Sequence, residues 1–227
     1  PALPRIFRDR AAQYFEREYE AFQTFPMDGV LIRNYESFQF LKERGFDKTI
    51  ILDHNLYVFN QWGKLFWKQH GAEEFTAPVE LNNSELEELG IRQGELIVYG
   101  SLPVMVTAQC IEKTVSGCSK KPTVHVLTDR CNEKYLVRNH CDLCYNVIYD
   151  SKPVCLLTES ENVRSLGPKR LRIQFSMENA AQVRKLLEAF EKTFREDGGA
   201  KGVSGVGLEK DCTVFHSTTG HFKRGII

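Results

Sequence analysis

Apolar and polar positions fall into blocks along the first hundred residues, and the period changes from block to block. "RIFRDRAAQYFEREYEAFQTF" (5–25) spaces apolar and aromatic residues as a helix does, with Pro26 beyond its end. "MDGVLIRN" (27–34) is a short apolar run and predicts a buried strand; "YESFQFLKERGF" (35–46) predicts a helix stopped at Gly45. "DKTIILDHNLYVFN" (47–60) is strand-like again, and "QWGKLFWKQHG" (61–71) helix-like with a glycine stop. "EEFTAPVELN" (73–82) suggests a strand end, and "NSELEELG" (83–90) a short helix capped by Asn83 or Ser84. "GELIVYGSLPVMVT" (94–107) predicts one strand of continuous apolar character, the pattern of strands covered on both faces.

Strand–helix rhythm of this kind argues for parallel strands in an α/β barrel or a doubly wound sheet. About five strands are counted if "PKRLRIQFS" (168–176) is included, whereas a closed barrel needs eight, so a partial or open barrel is expected. "ENAAQVRKLLEAFEKTFRE" (178–196) is the clearest helix, with Ala181, Val183, Leu186, Leu187 and Phe190 as its apolar stripe. Two regions break the rhythm. Residues 107–158 carry turn signals and most of the cysteines and read as a folded insertion; the glycine-rich, then basic, end contains "GVSGVG" (202–207), read as a flexible loop rather than a phosphate-binding fingerprint.

Composition changes this picture little. Hydrophobic content of 42% and charged content of 26% are those of a soluble globular chain, and 227 residues suffice for a core. Thirty basic and thirty acidic residues cancel, so only a local basic patch could attract nucleic acid. No apolar run approaches the roughly 18 residues of a membrane span, and no export signal opens the chain. The start "PALPRIFRDR", without methionine, suggests a processed protein or a fragment of a longer chain.

The cysteines change it more. Seven thiols, an odd number, argue against a disulfide framework and for a reducing, cytoplasmic setting, where clustered thiols are more often metal ligands. "NHCDLCYN" (139–146) holds Cys141 and Cys144 two residues apart, a turn that can aim both sulfurs at one ion. With Cys110 and Cys118 the pattern is C-x7-C-x22-C-x2-C, four donors for zinc or an iron–sulfur cluster, with Cys131, Cys155 and Cys212 left as plain thiols. A single C-x2-C knuckle, where zinc ribbons pair two, favours iron–sulfur. His140 is read as lying beside the site rather than in it. Buried or incidental cysteines are the bland alternative, and thioredoxin-like exchange the weakest.

The segments "ELIVYGSLPVMVTAQC", "SGCSKKP", "DLC" and the terminal "TTGHFKRG" resemble the collagenase-like peptidase family, the peptidase family of unknown catalytic type numbered 32. The likeness runs from about residue 27 to the end, and "PVELN" resembles the family's strand-end segment with a glutamate. The resemblance implies a TIM-like barrel and, from better understood relatives, a 4Fe–4S cluster and a part in hydroxylating RNA or ubiquinone. Cys110, Cys118 and Cys144 match family cysteines, while Pro103 and Tyr99 stand where the family often has cysteine and histidine. Cys141 is the natural substitute for the missing ligand. The chain is therefore divided into barrel elements (1–106), a cysteine-rich metal-binding insertion (107–158), and a last strand, helix and basic tail (159–227), all within one domain.

Three functions follow. The first is iron–sulfur-dependent hydroxylation of an RNA base, with Lys169, Arg170, Lys223 and Arg224 as candidate phosphate contacts and a partner segment completing the barrel. Solvated surface charge is the plainer account of those four. The second is the peptidase of the family label. No G-x-S-x-G or H-E-x-x-H is present, so cleavage of collagen is not expected; Asp53, His54 and Glu80 are the candidate acid–base residues at strand ends. The third is a non-catalytic structural-zinc module.

Overall fold

The computed structural model describes residues 1–195 and 216–225. In chain order the elements are α1 (Asp9–Arg17), α2 (Tyr19–Thr24), β1 (Gly29–Ile32), α3 (Tyr35–Glu43), β2 (Thr49–Leu52), α4 (Gln61–Gln69), β3 (Glu74–Phe75), α5 (Asn83–Leu89) and β4 (Glu95–Gly100). They continue as β5 (Pro103–Thr107), α6 (Ile111–Val115), β6 (Val124–Thr128), β7 (Lys134–His140), β8 (Tyr145–Tyr149), β9 (Val154–Cys155), α7 (Ser160–Leu166), β10 (Arg170–Gln174) and α8 (Ala180–Arg195). The chain is mixed α/β. Its described strands form three sheets, none closed into a barrel. It divides into two compact units, Pro1–Pro78 with Pro103–Ser151, and Val79–Leu102 with Lys152–Ile227.

In the first unit the expected rhythm holds. β1 pairs parallel with β2 from Gly29↔Thr49 to Ile32↔Leu52, and β2 pairs parallel with β3. The helices between them start where asparagines can cap: the Asn34 side chain accepts the Ser37 N–H at 2.8 Å, and that of Asn60 the Gly63 N–H at 2.9 Å. Val30, Ile32, Leu41 and Leu52 are almost wholly buried, each side chain contributing about 1.5–3 kcal/mol. The single helix predicted over 5–25 is two, α1 and α2, parted at Glu18.

The other sheet of this unit is antiparallel, ordered β5-β8-β7-β6. Its burial is lopsided. β8 is buried at Tyr145, Asn146, Val147 and Tyr149, whereas most of β6 and two of the five residues of β5 face solvent.

In the second unit β4 pairs parallel with β10 and antiparallel with β9. The predicted continuous strand 94–107 is thus two strands in different sheets. Gly100 has φ +151°, and a Cβ there would stand 2.7 Å from the Gln174 carbonyl oxygen, so only glycine fits where the run breaks. The helix cap expected at Asn83 or Ser84 is Asn82, whose side chain and that of Glu85 form a reciprocal capping box. Leu186 and Phe190 of the α8 stripe are buried, but Leu187 is 41% exposed, so the face is narrower than its sequence suggests. "GVSGVG" and Cys212 lie outside the described residues.

Candidate functional site

The candidate site grows from the ends of the antiparallel strands. After β5, the Thr107 hydroxyl accepts the Gln109 N–H, and Asn146 Nδ2 donates to the Gln109 carbonyl at 2.8 Å. That anchors the residue before Cys110. Cys110 caps α6, its Sγ 3.5 Å from the Lys113 N–H. Asn139, nearly inaccessible in β7, donates to Cys110 Sγ at 3.8 Å and to Glu112 Oε2 at 3.2 Å. Asn139 and Asn146 are direct cross-strand partners, so one rung of the β7–β8 ladder sets the Cys110 arm.

Cys141 and Cys144 lie in the tight turn joining β7 to β8, where the Cys144 N–H reaches the Cys141 carbonyl at 3.3 Å. Cys144 has φ +59°, in the left-handed region that few non-glycine residues adopt. Cys141 Sγ donates to the Lys121 carbonyl at 3.1 Å. Burial raises the Cys141 thiol pKa above its ordinary value, helped by Cys118, Glu112 and Cys110 and opposed by the Asn139 hydrogen bond.

Cys110, Cys118, Cys141 and Cys144 line one cavity of about 430 Å³, together with Arg10, Lys113 and Lys120. A second hollow of about 250 Å³ shares Arg10 and Cys144 with it. Four thiols around one space beside three cations make a donor set suited to a thiolate-bound metal. Among the described residues, however, no group of three or more His, Cys, Asp or Glu side chains converges closely enough to hold an ion. The sulfurs border the space without closing on a point. Cys131 lies elsewhere, exposed in the β6–β7 loop with its N–H on Asp129 Oδ1 at 2.7 Å, and Cys155 is buried in β9. His140 stacks on Tyr145 with ring centroids 4.6 Å apart; burial lowers its pKa, and Arg138, Arg33 and Arg5 lower it further.

This geometry belongs to a chain that the family model for Peptidase family U32 matches over residues 2–213. The chain belongs to peptidase family U32. No curated protein and no solved structure matches it. No helix among the described residues is long and apolar enough to cross a membrane.

Within this family member the remaining candidates are scattered. Asp53 follows β2 and is buried; its Oδ2 accepts Arg33 Nε–H at 2.8 Å and its Oδ1 the His54 N–H at 2.9 Å, so it serves as ion-pair partner and cap. Glu80 is in the other unit. Its Oε2 is buried with no hydrogen-bond partner among the described residues; burial raises the carboxyl pKa, while backbone hydrogen bonding and then His221 pull it down. Arg170 pairs with Glu95 at 3.6 Å and Lys223 with Glu159 at 2.7 Å. Lys169 and Arg224 are exposed. The tail carrying Lys223 is fixed by buried Phe222, whose carbonyl accepts the Asn83 N–H at 2.8 Å. Sequence reasoning missed Arg10, Lys113, Lys120 and Asn139. Asn139 could have been noticed, because a buried strand position held by asparagine needs a polar partner.

Proposed function

We propose that this U32 chain carries a 4Fe–4S cluster on Cys110, Cys118, Cys141 and Cys144 and takes part in hydroxylating an RNA base in the reducing cytoplasm. The observation that carries this reading is the single cavity bordered by those four thiols and by Arg10, Lys113 and Lys120. When bound, such a cluster relays single electrons. The three cations offset the negative charge of four thiolates, and the Asn139 amide directs a hydrogen bond at Cys110 Sγ. The parallel β1–β3 sheet is taken as part of an open TIM-like barrel whose remaining strands come from further chain or a partner. Zinc on the same four thiols, as a structural module, is the second reading, favoured by the same donor set.

The test is anaerobic reconstitution with iron and sulfide, followed by metal and sulfide analysis, absorption and paramagnetic resonance. About four iron and four sulfide per chain are expected, falling sharply in Cys118→Ser but not in Cys131→Ser. Stoichiometric zinc with no iron uptake supports the structural module instead. Mass spectrometry of RNA from cells with and without the chain should then show one hydroxylated base that depends on Cys118. An unchanged RNA profile from cluster-loaded protein rules out the RNA reading.

A further inference from the structure

We propose that the exposed aromatic side chains at the entrances to α3 and α4 form a stacking surface for the bases of a single-stranded nucleic acid. Its rings are Tyr35, Tyr57, Phe59, Trp62 and Phe66. The surface lies wholly in the first unit, shares no residue with the thiol cavity, and needs no metal.

The chain leaving β2 is shaped to hold rings open. Tyr57 has φ +54°, a left-handed conformation that few non-glycine residues adopt, and its carbonyl accepts the Phe59 N–H at 2.9 Å. That tight turn offset-stacks the two rings, with centroids 5.4 Å apart and planes 7° from parallel. Val58 between them is buried, so the loop is anchored while both rings stay exposed. The Asn60 cap then starts α4, and a Cβ at Gly63 would stand 3.8 Å from Val58 Cα, so the loop abuts the first helical turn. Trp62, in that turn, is 79% exposed.

Along α4 the row continues. Trp62, Phe66 and His70 recur at every fourth residue, so they share one face at about 6 Å axial spacing. Phe66 meets His70 with ring centroids 4.3 Å apart and Trp67 at 5.5 Å. Trp67 stacks in turn on Tyr35 at 5.3 Å, 18° from parallel. Trp67 is buried and Tyr35 exposed, so ring contacts join an open tyrosine on α3 to the open row on α4. Contiguous exposed apolar patches of this kind mark interaction surfaces.

Charge selects the occupant. Residues 54–72 carry Lys64, Lys68, His54 and His70 and not one Asp or Glu, in a chain whose acids and bases are equal in number. The carboxylates at either flank are occupied, Asp53 by Arg33 at 2.8 Å and Glu73 by Lys68 at 3.5 Å. The second pair is exposed and weak, so a phosphate can recruit its lysine. Open rings beside lysines suit a single strand, in which every base offers a π-face and every linkage a negative charge. A duplex keeps those faces inside its own stack. Stacking does not read the sugar; that the strand is RNA rests on the function proposed above, whereas the surface itself does not.

The test titrates the 227-residue chain, metal-free and reconstituted, with a single-stranded oligoribonucleotide of about 12 nucleotides, followed by tryptophan fluorescence and by anisotropy of the labelled strand. Saturable quenching is expected, because Trp62 is the exposed one of the two tryptophans. Trp62→Ala should weaken binding about tenfold, and Trp62→Phe, which keeps a ring, should restore most of it. Leu187→Ala, an exposed apolar position in the other unit, should change it less than about twofold. A duplex of the same sequence should bind at least about tenfold more weakly. Absent saturation, duplex bound as tightly as the single strand, or wild-type affinity in Trp62→Ala would each overturn the surface. If Trp62→Ala does not fold, quenching in the wild type decides alone. Sedimentation covers the other occupant: a dimer lost in Trp62→Ala, with no strand bound, assigns the face to a second copy and overturns the proposal. Tighter binding of the ribose than of the deoxyribose strand supports an RNA substrate; equal binding supports a surface for either sugar. Strand binding without cluster uptake leaves the surface standing and counts against the cluster, whereas cluster uptake without strand binding overturns the surface alone.

Discussion

The two sheets of the first unit are held by different means. β1–β3 are parallel, and the apolar side chains of β1 and β2 alternate with half-buried ones: Val30, Ile32, Ile50 and Leu52 are all inside. The β5-β8-β7-β6 sheet is larger but poorer in core, with Val104, Met105, Val124 and Val126 all more than half exposed. What it has instead is four thiols bordering one cavity near its strand ends. A sheet that buries one face thinly needs another source of stability, and bound metal is one that small cysteine-rich segments use. The two sheets should therefore fail at different places.

The largest effect is expected at the thiols. In metal-loaded protein, Cys144→Ser should remove most of the bound metal and raise amide exchange across residues 103–149 together, because structural thiolate sites bind with on the order of 10 kcal/mol. Exchange in β1–β3 should stay slow, and Cys131→Ser should change neither. Uniform loosening of both sheets would erase the distinction.

Next comes the apolar sheet. Leu52→Ala should cost about 2–5 kcal/mol, read as a lower urea midpoint, without changing metal stoichiometry. The side chain is buried to 1% exposure, so a cavity remains. A smaller loss follows at the switch between sheets. Gly100→Ala places a Cβ against the Gln174 carbonyl at positive φ and should cost about 1–3 kcal/mol, again with metal retained.

The smallest effect lies outside both sheets and acts as their control. Burial raises the Glu80 carboxyl above its unfolded value of about 4.3, so its contribution to stability is present below that pH and is lost as pH rises through the folded value. Glu80→Gln should therefore match wild type near pH 4 and melt about 1 °C higher at pH 7, a small gain because the group is only partly buried. Equal melting at pH 7 would mean that backbone hydrogen bonds and His221 together offset the burial.

Local and periodic features were legible in the residues alone. Apolar blocks of alternating period located β1, α3, β2 and α4, because amphipathic spacing is fixed by the strand and helix repeats themselves. The spacing in "CDLC" placed Cys141 and Cys144 in one turn, since two intervening residues are enough to reverse β7 into β8. Tertiary structure decided the rest. Continuous apolar character runs unbroken through "ELIVYGSLPVMVT", yet β4 and β5 enter different sheets, because hydropathy records burial and not which partner supplies it. Asn82 rather than Asn83 caps α5 because the choice depends on Glu85 reaching back. Cys110 meets Cys141 only through the antiparallel β5–β8–β7 ladder, and Arg10 joins their cavity from about a hundred residues upstream. Residues 1–3 lie along β1, held there by backbone hydrogen bonds to Leu31. No local period encodes such meetings; they arise when separate segments bury their surfaces against one another, and packing alone selects the partners.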